Sequence, residues 1–280
     1  MKHFTKESFE KELEFSNIED KNEKERLLEA LGFNRNSNNQ VSILGIDIYK
    51  YSKYDLLPQS FIPYLYDCLY QKTRDLLLDS EGWIFNKDSF SASVSTGDGG
   101  FIIFEDPIQS VIFVSYFEAI MRLYNSGQLN KDLIKLVKSI SLRYCISHDY
   151  MFRYENNYYG PGIIKNARIL SCDKLNRLLI DEETYAHFMR KVQGIESIVS
   201  MDIYDIASKK IDRDEVYSKS IICTDPSDGV FSVDLQKLDE IKIKDEPFSV
   251  YNLYLKVRTE INDREMRYNV GNLNTIGINK

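Results

Sequence analysis

Hydrophobic positions divide the chain into stretches of different rhythm. Over residues 5–31 the apolar side chains Phe9, Leu13, Phe15, Ile18, Leu27, Leu28 and Leu31 are spread among glutamates and lysines, the pattern of one or two amphipathic helices, and Gly32 supplies a stop. Residues 34–40 (NRNSNNQ) are polar and aperiodic, which places a domain boundary there. From Val41 the rhythm changes. The run VSILGIDIY is apolar on both alternating faces, as expected of a central strand covered on both sides. A helix is predicted over roughly residues 59–78, with Phe61, Leu65, Leu69 and Leu76 near helical spacing.

Two short strand-like runs, 90–95 and 101–104, are joined by Thr96-Gly97-Asp98-Gly99-Gly100, a hairpin signal because glycine beside aspartate supplies positive φ angles. Asp106 and Pro107 form an N-cap and first-turn pair for a helix to about Tyr124, with Gly127 just past its end. A strand near 140–146, a loop over 156–162, a helix striped by Ile163, Ala167 and Leu170, and a strand at 178–180 complete the pattern. The order β-α-β-β-α-β, extended by α-β, is that of a ferredoxin-like split βαβ core, an α+β fold on an antiparallel sheet. Beyond Gly194 only 241–243 and 249–255 read as strands. The expected organisation is a helical extension and linker over 1–40, a domain over 41–255 and a polar tail over 256–280.

At 280 residues and 43% hydrophobic content the chain can bury a proper core. Lysine and arginine number 36 against 43 aspartates and glutamates, a formal charge of −7, which disfavours a broad surface for nucleic acid or anionic lipid. No apolar run approaches the roughly 18–20 residues of a membrane span, and the opening MKHFTKESFEKELEF has no signal-peptide stretch. The expectation is a cytoplasmic protein with no membrane and no nucleic-acid partner. Cys68, Cys145, Cys172 and Cys223 form no CxxC pair, and His3, His148 and His187 are not spaced as zinc ligands.

Two carboxylates stand out by position. Asp47 closes a strand whose same-face neighbours Val41, Ile43 and Gly45 are apolar or small, so its charge is costly without a partner, and a metal ion is one such partner. Asp98 lies at the hairpin turn, which a split βαβ fold packs beside the first strand, bringing both carboxylates to one edge of the sheet. Such a pair can hold two hard cations about 3.5–4 Å apart, an arrangement suited to phosphoryl or nucleotidyl transfer. Each residue alone has a plainer reading: Asp47 as a paired structural aspartate, the GDGG turn as only a turn, Arg168 as a helix-surface ion pair.

Together these residues resemble class III nucleotidyl cyclases. Asp47-Ile48-Tyr49-Lys50-Tyr51-Ser52 is similar to the family's first metal motif, Thr96-Gly97-Asp98-Gly99 to its Gly-Asp hairpin, and Leu142-Arg143-Tyr144-Cys145-Ile146 to its next core strand. Residues 157–170, with Ala167-Arg168-Ile169, resemble the glycine loop and the helix after it, and IKIKDEPFSVYNL resembles the closing strand. The resemblance covers about residues 41–255. It implies attack of a ribose 3′-hydroxyl on the α-phosphate of a nucleoside triphosphate, with two Mg²⁺ or Mn²⁺ ions held by Asp47, the Ile48 carbonyl and Asp98. It implies that Tyr51, Ser52, Gly97, Asn157 and Asn166 contact the substrate. It also implies a homodimer with active sites at a head-to-tail interface, so that Arg168 neutralises transition-state charge in its partner's site.

The departures concern the base. Where purine-specific members place a lysine and an aspartate, this chain has Val94 and Asn157. The helix asparagine aligns with Ile164, so either Asn166 takes over its contact or the contact is missing. This pattern most resembles the stand-alone pyrimidine cyclases of bacterial antiphage defence. The expected reaction is UTP to cyclic UMP, with CTP second, and the alternatives are a purine cyclase or a degenerate cyclase fold used for binding or dimerisation.

Overall fold

The computed structural model describes residues 3–4, 40–154, 157–192, 229–243, 246–261, 264–274 and 278. The expected helical extension lies outside the described residues, except that His3–Phe4 form a short strand, β1. The core opens with β2 (Gln40–Ile48), α1 (Leu56–Ser80), the hairpin β3 (Ser93–Ser95) and β4 (Gly99–Phe104), and α2 (Pro107–Asn125). Next come α3 (Lys131–Val137), β5 (Leu142–Tyr150), a small hairpin β6 (Phe152–Tyr154) and β7 (Asn157–Tyr159), α4 (Pro161–Cys172), β8 (Leu178–Asp181) and α5 (Glu182–Val192). Three long strands follow, β9 (Gly229–Ile243), β10 (Glu246–Ile261) and β11 (Arg264–Val270).

The main sheet runs β3-β4-β2-β5-β8-β10, and β9 and β11 both pair with β10. Neighbours are antiparallel except β5 and β8, which are parallel. The part β5-β2-β4-β3 is the split βαβ order expected from the sequence. β1 joins a separate small sheet as a parallel neighbour of β6.

Strand alternation divides the interior in two. Leu44, Ile46 and Ile48 of β2 enter the larger core beneath α1 and α2, whereas Ile43 packs with Cys145, Ile169, Leu170 and Leu179 beneath α4. α2 is apolar almost all round and is correspondingly buried. Its start is fixed as predicted: Asp106 accepts from the Ile108 N–H at 2.9 Å, and Gln109 reaches back to the Asp106 N–H at 3.2 Å. α4 is pinned to the sheet by Lys165, which pairs with Asp149 at 2.6 Å and with buried Asp181 at 3.0 Å.

Several elements depart from the sequence expectation. α3 is too short for periodicity to reveal; Asn130 caps it by accepting from the Asp132 and Leu133 N–H groups. α5 starts on Asp181, whose carboxylate accepts from the Thr184 N–H at 2.9 Å. The sheet also runs past residue 255, and within the expected tail 256–261 and 264–270 are strand. Val257, Ile261, Tyr268 and Val270 are buried there, but the outward charges Arg258, Glu265 and Arg267, paired at 2.7–2.8 Å, hid that alternation. Among the described residues no helix is long and apolar enough to cross a membrane.

His148 on β5 and His187 on α5 meet edge to face with ring centroids 4.9 Å apart, and Asp106 lies 3.5 Å from His187 Nε2. Burial first, and His187 second, push the His148 pKa down to about 4. An unfolded histidine takes its proton near pH ~6.5, so the folded state loses stability as pH falls from there toward 4. The melting temperature should therefore drop through this window more steeply in the wild type than in His148→Leu. Equal slopes would remove His148 as the group responsible.

Candidate active site

The site is built where β2 runs out from beneath α4. Odd-numbered residues of β2 face that helix: Ile43 and Gly45 are covered by it, and Asp47 emerges half-buried beyond. Register sets Asp47 opposite Gly99 on β4 and Arg143 on β5. Gly99 is required by this approach, because a Cβ there would lie 2.0 Å from the Ile46 carbonyl oxygen. The turn before it is closed by Thr96 N–H to the Gly99 carbonyl at 3.1 Å, with Gly97 at φ +90°. The Ile48 N–H donates to the Asp98 carbonyl at 3.0 Å, which ties the turn to the end of β2.

Arg143 is the cation that faces Asp47. Its Nε donates to Asp47 Oδ2 at 2.7 Å, Nη2 donates to the same oxygen, and Nη1 donates to the Asp173 carbonyl at 2.5 Å. Burial raises the pKa of Asp47; Arg143 opposes that shift and the nearby Asp98 carboxylate adds to it, leaving a net rise. The two acidic groups are thus close enough to feel each other. Tyr49 donates its hydroxyl to the Lys174 carbonyl at 2.7 Å and lies with its ring centroid 5.9 Å from the Arg143 guanidinium carbon and 4.6 Å from Lys50 Nζ.

The structure brings Asp47 and Asp98 to one edge of the sheet, with Ile48 and Gly97 next to them in the chain. It separates the two tyrosines of the first motif: Tyr49 lies beside Arg143, whereas Tyr51 packs against the helix-side core. Ser52 is exposed. Asn157 is exposed on β7, and β3, which carries Val94, approaches that strand. Arg168 on α4 is half-buried and makes no ion pair among the described residues.

Asn166 is a correction. It is fully buried, and its amide donates to the Ile43 carbonyl at 2.8 Å, the Cys145 carbonyl at 3.0 Å and Ser147 Oγ at 3.0 Å. Its oxygen occupies the space above Gly45, where a Cβ would lie 2.1 Å away. The side chain seats α4 on β2 and β5 and is closed off from any substrate, because α4 turns this residue toward the sheet. Arg143 is the residue that sequence reasoning passed over. Its signal was a charged side chain within the apolar first half of its strand, Leu142 to Ile146. Among the described residues no cluster of three or more histidine, cysteine, aspartate or glutamate side chains is placed to hold a metal ion; the acidic site consists of Asp47 and Asp98.

No protein-family model matches the chain, and no curated protein matches it in sequence. Among solved structures it is similar to the adenylyl cyclase CyaB from P. aeruginosa, at 13% identity over 76% of this chain and 93% of that one, TM-score 0.44. It is similar also to an adenylate/guanylate cyclase/hydrolase from Silicibacter pomeroyi, at 13% identity over 76% of this chain and 95% of that one, TM-score 0.44.

The two hairpin glycines make the geometry testable. Gly99→Ala must push the hairpin off β2 and should cost about 1–3 kcal/mol or more, the range of an overpacked core. Gly97→Ala meets open space and should cost only the ~1–2 kcal/mol of a left-handed backbone. Urea denaturation of both variants checks the order, and Gly99→Ala as stable as wild type would contradict the close approach.

Proposed function

We propose that the chain is a nucleotidyl cyclase that converts a nucleoside triphosphate, UTP foremost, to the 3′,5′-cyclic monophosphate and pyrophosphate. The observation that carries this reading is the meeting of Asp47 and Asp98 at one edge of a split βαβ sheet, near enough for Asp98 to lift the pKa of Asp47. Two mutually repelling carboxylates, the Asp47 side chain 19% exposed, are a donor set of hard oxygens that fits divalent cations. Asp47 and Asp98, with the Ile48 carbonyl, would hold two Mg²⁺ or Mn²⁺ ions, which when bound neutralise phosphate charge and acidify the attacking hydroxyl.

In the reaction the ribose 3′ oxygen bonds to the α-phosphorus, the bond from that phosphorus to the α,β-bridging oxygen breaks, pyrophosphate leaves and the hydroxyl proton is released. Arg143 presents a cationic fork to Asp47, and its remaining N–H groups suit phosphate oxygens. Arg168, with no acidic partner among the described residues, serves transition-state charge in the second chain of a homodimer. Val94 offers a base no hydrogen bond, whereas the Asn157 amide offers a donor and an acceptor, which suits the O4 and N3–H edge of uracil. Flipped, the same amide suits cytosine. The role that the resemblance implies is second-messenger synthesis in antiviral defence.

A cyclase fold kept for dimerisation alone is the second reading, favoured by one observation. Arg143 pairs with Asp47 within the chain, so that carboxylate does not depend on a metal ion for a counter-charge.

Incubating the protein with each of the four nucleoside triphosphates plus Mn²⁺ and weighing the products separates these readings. Cyclic UMP should dominate, cyclic CMP should come second, and no cyclic product from any of them would favour the second reading. A dominant purine product would remove the pocket assignment alone. Asp47→Ala and Asp98→Ala should each abolish turnover with the circular dichroism of the wild type. Mixing inactive Asp47→Ala and Arg168→Ala chains should restore activity in heterodimers, where one composite site is intact; a mixture that exchanges and stays inactive rules out the shared site.

A further inference from the structure

The segment between α4 and β8 is fastened more firmly than a connection requires. Asp173 and Arg177 are each about 1% exposed, and Arg177 Nε and Nη2 donate to Asp173 Oδ1 at 2.9 and 2.6 Å. The Leu175 N–H joins that oxygen at 3.2 Å. Arg177 Nη1 donates to the Asn274 carbonyl at 3.1 Å, in the turn that follows β11. That turn is itself held. Gly271 adopts φ +80° where a Cβ would lie 2.7 Å from the Leu253 carbonyl, Asn252 donates to the Asn272 carbonyl at 2.7 Å, and Asn272 donates to Asn176 at 3.3 Å.

A buried ion pair is an inefficient way to gain stability, because desolvation offsets most of the attraction and an apolar pair of similar volume does as well. What it does fix is orientation. The Asp173 carbonyl accepts from Arg143 Nη1 at 2.5 Å, and the neighbouring Lys174 carbonyl accepts from the Tyr49 hydroxyl at 2.7 Å. Two side chains beside Asp47 are therefore held by the main chain of this one loop.

We propose that Arg177, acting through Asp173, is a positioning residue that orients Arg143 against Asp47 and so sets the phosphate-facing geometry of the site. The phosphate-facing part rests on the cyclase reading; the orientation of Arg143 does not. Arg177 touches neither carboxylate of the site among the contacts described, so its influence passes through the loop.

The test uses the full chain labelled with ¹⁵N-arginine, the Arg143 Nε–H resonance being assigned by its loss in Arg143→Lys. In the wild type this resonance should exchange slowly and lie away from those of exposed arginines. The double variant Arg177→Met with Asp173→Asn removes both buried charges together, leaves an acceptor for the Leu175 N–H, and so avoids an unpaired charge in the core. In it the Arg143 signal should move toward the exposed position, and the affinity for Mn²⁺-tripolyphosphate, measured by calorimetry, should fall about tenfold, the lower end for outer-shell partners. Arg177→Lys should lie between. An unchanged Arg143 signal in the folded double variant overturns the proposal whatever the affinity does; if the double variant does not fold, an unchanged signal in Arg177→Lys does the same. A wild type that orders Arg143 yet makes no cyclic nucleotide would sink the cyclase reading and leave the positioning result standing.

Discussion

The charge on Asp47 is the constraint on which the working end of the molecule depends. A carboxylate one step beyond Ile43 and Gly45, on a strand covered by α4, is disfavoured by desolvation unless a cation meets it. Antiparallel pairing of β2 with β5 puts Arg143 opposite, and the guanidinium fork closes on one carboxylate oxygen. Asp98 enters from the other neighbour, β4, on a turn brought close by Gly99. The sheet order β5-β2-β4 is thus what turns three distant residues into one electrostatic unit.

The helix above that unit is placed by a polar contact rather than by apolar packing alone. Asn166 bonds to main chain of β2 and β5 and needs Gly45 beneath it. An amide is well suited to this position, since one NH₂ group can bridge two strands, and leaving such a group unsatisfied in a core is expensive. The consequence is that α4 is fixed in height and rotation over the sheet, with Arg168 two residues further along it.

The opposite face holds acids of a different kind. Glu81 accepts from Trp83 Nε1 at 2.6 Å and the Tyr116 hydroxyl at 2.7 Å; Glu118 accepts from the Tyr144 hydroxyl at 2.7 Å and Arg122 Nε at 3.0 Å. These carboxylates are enclosed and fully engaged within the α1 and α2 layer. Asp47 and Asp98 differ in facing each other at the rim of the sheet, where a pair of like charges is held together by the fold.

The sequence by itself determined the order of the core elements, because β2 is apolar on both faces, α2 has a cap and a first-turn proline, and the hairpin carries its glycines in a recognisable turn. It also marked Asp47 and Asp98, since an acid closing an apolar strand and an acid in a glycine turn are both visible as local exceptions. It did not show α3, which is a single capped turn or two, nor the extension of β10 and β11, whose outer charges mask the alternation beneath. Tertiary structure alone decided the partners. That Asp47 meets Arg143, that Asn166 turns inward and that Tyr49 and Tyr51 part depend on register and helix rotation, quantities set by contacts between residues up to 125 positions apart. Local pattern carries no information at that distance. Pairing across the sheet supplies it.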